Sequence, residues 1–231
     1  MSKNQCKGRL IVIEGGDGVG KQTVSTELYE RLIYKGYPTI LISFPRYYTT
    51  PGKEIRRVLE GAWGNNKEQI DPIAFGALYA WDRADAKSSL TTWLREGKLV
   101  VADRYVLSNC AHQGARKKKK RDQLSIINHF LHLEYDVYRL PKSNLNILLD
   151  TPVILSNEAM KNQRRTTDVN EKDMTYQKEV RKIFRCLHQT LKPLENNIII
   201  NCINEKGERR SRQEISDRVW KMVNERILSK F

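Results

Sequence analysis

The chain has 231 residues, enough for one domain with a large hydrophobic core, and 39% of them are hydrophobic. No apolar run approaches the length of a membrane span, and the N-terminal segment lacks the apolar core of a signal peptide, so we expect a soluble protein of the cytoplasm. The formal net charge of +14 indicates an anionic partner, either a nucleic acid or a small molecule with several phosphates.

Five short apolar runs predict the strands of a buried sheet: Leu10–Glu14, Thr39–Phe44, Leu99–Asp103, Leu145–Asp150 and Ile198–Cys202. They are almost continuously hydrophobic, which is typical of parallel strands covered on both faces. Helical patterns separate them, at Val24–Lys35, Pro72–Glu96, Asp122–Leu133, Asp173–Leu191 and Ser211–Lys230. The alternation predicts an α/β fold with a doubly wound, five-stranded parallel sheet, whose ligands bind beyond the carboxyl ends of the strands. No linker divides the chain, so we expect a single domain over residues 1–231.

The first predicted strand runs directly into a glycine-rich segment of the form GxxxxGK. Glycines let backbone N–H groups approach phosphate oxygens, the lysine adds a charge on a flexible stem, and the following helix presents its positive N-terminal end. We therefore predict that the phosphates of a nucleotide bind at Gly15, Gly16, Asp17, Gly18, Val19, Gly20, Lys21, Gln22 and Thr23. Gln22 stands where a Ser or Thr hydroxyl usually meets Mg²⁺. Either its amide oxygen takes that place, or ATP oxygens, water and carboxylates hold the metal.

The second predicted strand ends in the sequence Phe44-Pro45-Arg46-Tyr47. An aromatic ring, a rigid proline and an arginine at this edge fit one wall of a phosphate or base pocket. An ordinary strand-ending proline is the alternative. We expect a cis peptide bond between Phe44 and Pro45.

Within the long predicted helix, Phe75, Tyr79 and Arg83 are spaced four residues apart and therefore share one face. Such a stripe usually belongs to the core, but a guanidinium that faces the core needs an anionic or carbonyl partner. The functional alternative is a face that stacks on a nucleobase and donates to its carbonyl group.

The third predicted strand ends in Asp103 and Arg104, and four polar residues follow: Ser108, Asn109, His112 and Gln113. Asp103 lies where a carboxylate holds Mg²⁺ through water, and Arg104 where a planar guanidinium clamps a phosphate. A structural ion pair between these two side chains is the alternative.

Two further segments are strongly basic. Residues 116–121 are all Arg or Lys and are interpreted as a solvated loop, with nuclear targeting or polyanion binding as the alternatives. Residues 161–168 are polar and basic and precede Glu171 and a helix. This second segment is either a lid that brings cations onto transferring phosphates or a solvated loop.

Taken together, these segments resemble thymidylate kinase, the P-loop kinase family that phosphorylates dTMP with ATP. The resemblance rests on EGGDGVGKQT at 14–23, FPRY at 44–47, ALYAWDRADA at 77–86, DRYVLSNCAHQGA at 103–115, LPK at 140–142 and DVNEKD at 168–173. It implies a P-loop NTPase fold with a five-stranded parallel core, ATP and Mg²⁺ as cofactors, and a homodimer. The reaction that it implies is transfer of the γ-phosphoryl group of ATP to dTMP, giving dTDP and ADP.

The resemblance also implies roles for individual residues. Lys21 bridges the donor and acceptor phosphates, Asp17 binds the 3′-hydroxyl of the sugar, and Arg104 holds the acceptor phosphate. Because Gly18 stands where some members carry a catalytic Arg, that cation is expected from the lid segment near 161–172. The remaining candidates are the lid cations Arg164 and Arg165; the substrate-pocket residues Phe44, Arg46, Tyr47, Tyr79, Arg83, Asn109, His112 and Gln113; and the metal-site residues Asp103, Gln22 and Glu171.

Two other functions stay open at this point. A broader deoxynucleoside monophosphate kinase would accept dUMP or a purine nucleotide. A basic nucleic-acid-binding protein would use ATP only as a switch, although the acceptor-site motifs speak against it. The expected location is the cytoplasm, or the nucleus if residues 116–121 act as a targeting signal.

Overall fold

Strands and helices alternate along the chain, as the hydrophobic pattern predicts. A computed structural model describes residues 8–64, 70–162, 173–191 and 196–231. Its strands are β1 (Arg9–Glu14), β2 (Thr39–Ser43), β3 (Leu99–Asp103), β4 (Leu145–Asp150) and β5 (Asn197–Asn201). They form one sheet in the order β2-β3-β1-β4-β5, and every neighbouring pair is parallel. The predicted five-stranded parallel α/β fold is therefore confirmed.

The described helices are α1 (Lys21–Tyr34), α2 (Thr50–Leu59), α3 (Pro72–Arg95), α4 (Val106–Gly114), α5 (Lys120–Leu131), α6 (Val153–Asn162), α7 (Met174–Thr190) and α8 (Arg212–Arg226). A π-helical turn (His132–Val137) extends α5, and a 3₁₀ turn (Leu228–Lys230) follows α8. The sequence analysis did not predict α2, α4 or α6. It also joined α8 and the 3₁₀ turn into one helix, whereas the regular helix ends at Arg226.

The hydrophobic core lies in two layers, one on each face of the sheet. Successive residues of a strand point to opposite faces, so in β1 Leu10 and Val12 pack with α3, α4, α5 and α7, while Ile11 and Ile13 pack with α1 and α8. All four side chains are fully buried. Both faces of the sheet are thus covered by helices. Polar residues gather at the carboxyl ends of the strands.

Helix α2 packs directly against the segment that follows β2. A Cβ atom built on Gly52 would lie 1.9 Å from the backbone oxygen of Arg46, so only glycine permits this approach. The expected cis peptide bond between Phe44 and Pro45 is confirmed. These contacts hold the end of β2 beside α2 and α3.

The basic run at 116–121 is only partly a loop, because α5 begins inside it at Lys120. The side chains of residues 118–121 are exposed. Within the described ranges, no helix combines the length and the apolar character needed to cross a membrane.

Candidate active site

The glycine-rich segment connects β1 to α1 and ends in a left-handed residue. Gly20 has a φ of 96° and forms the N-cap of α1 without a side-chain cap, and the first turn of α1 carries no acidic residue. Uncapped N–H groups at a helix N-terminus attract anions. The loop after β1 therefore leads into an uncapped helix N-terminus, as a phosphate-binding loop requires.

Lys21 is buried inside this loop. Its Nζ donates to the backbone oxygen of Gly16 at 2.6 Å. Burial and the nearby Arg104 lower the pKa of Lys21 to about 8, although Asp17 opposes this shift. A phosphate in the loop would stabilise the charged form of this amine.

Arg104 projects from the end of β3 toward the same loop. It adopts the left-handed conformation, with a φ of 67°. Its guanidinium donates to Asp17 Oδ1 at 2.5 Å and to the backbone oxygen of Gly15 at 3.3 Å. The ion pair that the sequence suggested between Arg104 and its neighbour Asp103 is replaced by this pair with Asp17, which is 87 residues away in sequence.

Asp17 is the acceptor on which several donors converge. Burial raises the pKa of its carboxyl, but Arg104, His112 and Lys21 outweigh that effect and hold the pKa well below its usual range. Its second oxygen accepts a bond from Gln177 Nε2 in α7 at 2.9 Å. Asp17 is therefore an anion at any physiological pH.

His112 joins this cluster as a neutral ring. Arg104 donates to its Nε2 across 3.3 Å, and Tyr176 Oη lies 3.1 Å from its Nδ1 and donates to the backbone oxygen of His112. This arrangement assigns the ring proton to Nδ1. Burial lowers the pKa of His112 to about 3, with Arg104 and Lys21 contributing.

Sequence reasoning missed three residues that organise this cluster, namely Glu14, Tyr176 and Gln177. Glu14 closes β1, is fully buried, and accepts bonds from the backbone N–H groups of Tyr105 (3.1 Å) and Ser108 (3.3 Å) and from the Ser108 hydroxyl. It therefore fixes the start of α4, the helix that carries Asn109 and His112. A charge at the end of an otherwise apolar strand was the available signal for Glu14.

The buried Glu14 carboxyl leads to a prediction about stability and pH. Burial raises its pKa from 4.5 to about 7, although Ser108 and Arg104 partly oppose this shift. Because the folded-state pKa exceeds the unfolded value, the neutral acid stabilises the fold below pH 4.5, and this contribution is lost as the pH rises through 7. Glu14→Gln removes the titration. We expect the free energy of unfolding of the wild type, relative to this variant, to fall by about 3 kcal/mol between pH 4.5 and 8.

Urea unfolding of both proteins at several pH values measures this difference, and the contributions of the titratable groups that the two proteins share cancel between them. The exposed substitution Glu60→Gln serves as the control and should follow the wild type. A difference between wild type and Glu14→Gln that stays constant with pH would contradict the prediction.

The predicted base pocket contains a buried ion pair. Arg83 donates through Nε and Nη2 to Glu134 in the π-helical turn, with an Nη2–Oε1 distance of 2.7 Å, and the two side chains are 2% and 0% exposed. Asn109 Nδ2 donates to Glu134 and to the backbone oxygen of Gly76, both at 3.0 Å. Glu134, which the sequence analysis did not single out, is thus the anionic partner that a core-facing Arg83 requires.

Two acceptor atoms beside this pair have no hydrogen-bond partner among the described residues. They are Asn109 Oδ1 and Gln113 Oε1, on side chains that are 3% and 2% exposed. Tyr79 is half-buried on α3, and its ring is in edge contact with Phe75 at a centroid distance of 5.0 Å. Buried polar atoms are rarely left without a partner in folded proteins, so these two atoms are candidates for contact with a ligand that donates.

In the segment after β2, the predicted substrate residue Arg46 pairs with two aspartates of α3. Its Nε and Nη2 donate to Asp82 Oδ1 (3.0 Å) and Asp85 Oδ2 (2.6 Å). Arg46 therefore ties the pocket wall to α3. Phe44 is buried against the Tyr105 ring at 5.9 Å, and Tyr47 is 37% exposed and contacts the Arg56 guanidinium.

Of the predicted metal-site residues, the structure describes Asp103 and Gln22. Asp103 Oδ1 is buried at the end of β3 and accepts no hydrogen bond from the described residues, which fits a carboxylate that binds a cation or its water. Gln22 is exposed at the start of α1. Glu171, Arg164 and Arg165, together with most of the predicted lid at 161–172, lie outside the described residues. Within the described part of the chain, no three acidic, His or Cys side chains form a metal cluster.

Comparisons with known proteins agree with this geometry. The family model for thymidylate kinase matches residues 13–215. The probable thymidylate kinase of Thermococcus onnurineus is 37% identical over 184 residues, which cover 76% of this chain and 82% of that protein. The thymidylate kinase of Synechococcus sp. (strain JA-3-3Ab) is 29% identical over 221 residues, covering 95% and 97%.

A solved structure of thymidylate kinase from Candida albicans matches with a TM-score of 0.69 and 22% identity, covering 95% of this chain and 92% of that one. At this identity the likeness supports the fold. The family model spans most of the chain, and the residues that it spans include the glycine-rich loop, Arg104 and the pocket behind them. The chain therefore belongs to the thymidylate kinase family, the kinases that phosphorylate dTMP.

Proposed function

We propose that this site transfers the γ-phosphoryl group of ATP to the 5′-phosphate of dTMP by direct in-line displacement. The observation that carries the proposal is the convergence of Lys21, Asp17 and Arg104 at the glycine-rich loop. An oxygen of the acceptor phosphate forms the new bond to the γ-phosphorus, and the bond to the β–γ bridging oxygen breaks, releasing ADP. The acceptor is already anionic, so positioning and charge neutralisation supply the catalysis.

The chain's own residues divide this work. Lys21 holds its amine inside the loop that encloses the donor phosphates. Arg104 has a guanidinium already aligned by Gly15 and Asp17, so it meets the acceptor phosphate with little loss of side-chain entropy. Mg²⁺, when bound near Asp103, would neutralise charge on the phosphates, with Gln22 as a further ligand. Loss of turnover on chelation of Mg²⁺ tests this assignment, and activity without a divalent cation would contradict it.

The proposed base pocket is inferred from the buried polar atoms near Glu134. Asn109 Oδ1 and Gln113 Oε1 are acceptors suited to the N3–H group of thymine, and Tyr79 supplies a ring for stacking. Glu134 occupies the Nε–Nη2 edge of the Arg83 guanidinium, which leaves Nη1 to donate to the O4 carbonyl. Cytosine presents an amino donor at that position and is therefore disfavoured.

The proposal is tested by a coupled ADP-release assay with ATP·Mg²⁺ and each of dTMP, dUMP, dCMP, dGMP and AMP. We expect turnover to favour dTMP, and Lys21→Ala to lower it more than tenfold, since its amine stabilises the transferring group (~10²-fold for one lost donor). Lys35→Ala, at the other end of the same helix, is the control and should keep wild-type turnover.

Even activity on several acceptors would favour a broader monophosphate kinase. That alternative is supported by Tyr79, where family members often place Phe, and by the broad substrate specificity described for the Candida albicans enzyme. No ADP release with any acceptor, together with tight and steeply salt-dependent duplex binding, would favour a nucleic-acid-binding protein.

The remaining proposals concern the assembly. The lid near 161–172 would supply Arg164 or Arg165 to the transferring phosphoryl group.

A homodimer is supported by an apolar stripe on α3, where Ile73 and Trp81 are 42% and 44% exposed. Sedimentation velocity measures this state, and a monomer at all concentrations would contradict it. The proposed location is the cytoplasm. Imaging of a tagged protein tests the alternative, in which the basic run at 116–121, exposed at residues 118–121, acts as a nuclear signal.

A further inference from the structure

One arginine contacts the glycine-rich loop from a segment to which neither the motif analysis nor the proposed mechanism assigns a role. Arg209 is half-buried in the turn between β5 and α8. Its Nη2 donates to the backbone oxygens of Val19 at 3.1 Å and Gly18 at 3.4 Å. These two residues form the tip of the loop that is expected to enclose the donor phosphates.

The segment that carries Arg209 is a tight hairpin. Ile203 and Arg209 form an antiparallel bridge, and the N–H of Arg210 donates to the backbone oxygen of Cys202 at 2.9 Å. At the turn, the Asn204 side chain accepts bonds from the N–H groups of Lys206 (3.0 Å) and Glu208 (2.9 Å). The hairpin therefore holds the base of the Arg209 side chain in one place.

The two bonds determine how the loop's peptide groups are turned. In a trans peptide unit, the carbonyl of one residue and the N–H of the next point in opposite directions. Carbonyls of Gly18 and Val19 that face Arg209 therefore turn the N–H groups of Val19 and Gly20 toward the opposite side of the loop. Backbone N–H groups at these positions are what a phosphate-binding loop presents to its ligand.

We infer that Arg209 is a positioning residue for the ATP site, which holds the tip of the phosphate loop in its binding conformation from the side away from the phosphates. The inference rests on the proposed binding of ATP at Gly15–Thr23. A charged donor shared between two carbonyls stabilises this conformation before ATP arrives, so the loop loses less freedom on binding.

The test compares Arg209→Ala with the wild type in steady-state kinetics and in ATP binding. We expect the KM for ATP to rise about tenfold, as for loss of a charge-assisted hydrogen bond, while the KM for dTMP changes less than twofold. Arg209→Lys retains the charge but not the planar guanidinium. Its KM for ATP should therefore lie between those of the wild type and Arg209→Ala. Arg212→Ala, which removes an exposed partner of Glu27 three residues later, is the control and should leave both constants unchanged.

The rise in Tm that ATP produces in the absence of dTMP measures ATP binding at this loop without the transfer reaction. A smaller ATP-induced rise in Arg209→Ala than in the wild type supports the inference even if dTMP proves not to be the acceptor. If the KM values for ATP and dTMP rise equally, if the KM for ATP is unchanged, or if Arg209→Lys behaves as wild type, the inference is overturned.

Discussion

Replacement of Arg104 by alanine is expected to lower kcat/KM for dTMP by at least about a hundredfold. A charged donor aimed at a transferring phosphoryl group acts in a site sheltered from water, where its loss costs on the order of 10²- to 10³-fold in rate. The Arg104 guanidinium is only 21% exposed and is aligned by Asp17 and by the backbone oxygen of Gly15. Steady-state kinetics with both substrates measures the effect.

The same change leaves Asp17 without its main cationic partner, so a loss of stability has to be separated from a loss of catalysis. The double variant Arg104→Ala/Asp17→Asn removes the unpaired anion; we expect it to unfold at a higher Tm than Arg104→Ala and to stay inactive. Arg57→Ala removes an exposed arginine that pairs with Glu54 on α2 and serves as the control. A value of kcat/KM for Arg104→Ala within tenfold of the wild type would remove Arg104 from the proposed role.

The strands were predictable because their signal is local. In a sheet covered on both faces, every strand residue is buried, so the strands read as apolar runs. All five strands begin and end within one residue of the predicted positions. The glycine-rich loop was predictable for a similar reason, since the spacing of Gly15, Gly20 and Lys21 along the chain carries the geometry of the loop itself.

The missed helices carry weaker local signals. Helix α2 has Pro51 and Gly52 in its first turn, two residues that are unfavourable inside a helix, but Thr49 caps the helix and accepts from the N–H of Gly52. Its apolar face consists of little more than Ile55 and Val58. Helix α4 is almost entirely buried, polar residues included, so it lacks the amphipathic pattern by which a helix is recognised.

Sequence reasoning could not identify the hydrogen-bond and ion-pair partners that lie far apart in the sequence. Asp17 and Gln177 are 160 residues apart, and Arg83 and Glu134 are 51 apart, so each pair depends on which helix packs beside which. The need for an anionic or carbonyl partner beside Arg83 was derived from its place on the core-facing side of the helix. The identity of that partner, Glu134, could not be derived, because the π-helical turn that points it inward leaves no recognisable pattern in the sequence HLEYDV.

The pair of Arg83 and Glu134 leads to the largest expected effect on stability. Removing one partner of a buried ion pair leaves an uncompensated charge and costs about 3–5 kcal/mol. Burial lowers the pKa of Arg83, but the bonded Glu134 side chain outweighs this effect and raises it, so the buried guanidinium keeps its charge. We therefore expect Arg83→Met, which keeps most of the side-chain volume, to lower the free energy of unfolding by roughly that amount in urea denaturation.

A second substitution distinguishes the unpaired charge from lost packing. In Arg83→Met/Glu134→Leu both charges are absent, so the variant should regain most of the stability that Arg83→Met loses, apart from the bond that Asn109 donates to Glu134. Arg57→Met breaks an exposed pair between the same residue types and should change the free energy of unfolding by less than about 1 kcal/mol. If the double variant is no more stable than Arg83→Met, the cost arises from packing around Arg83, and Glu134 is not the reason that a guanidinium is tolerated in this core.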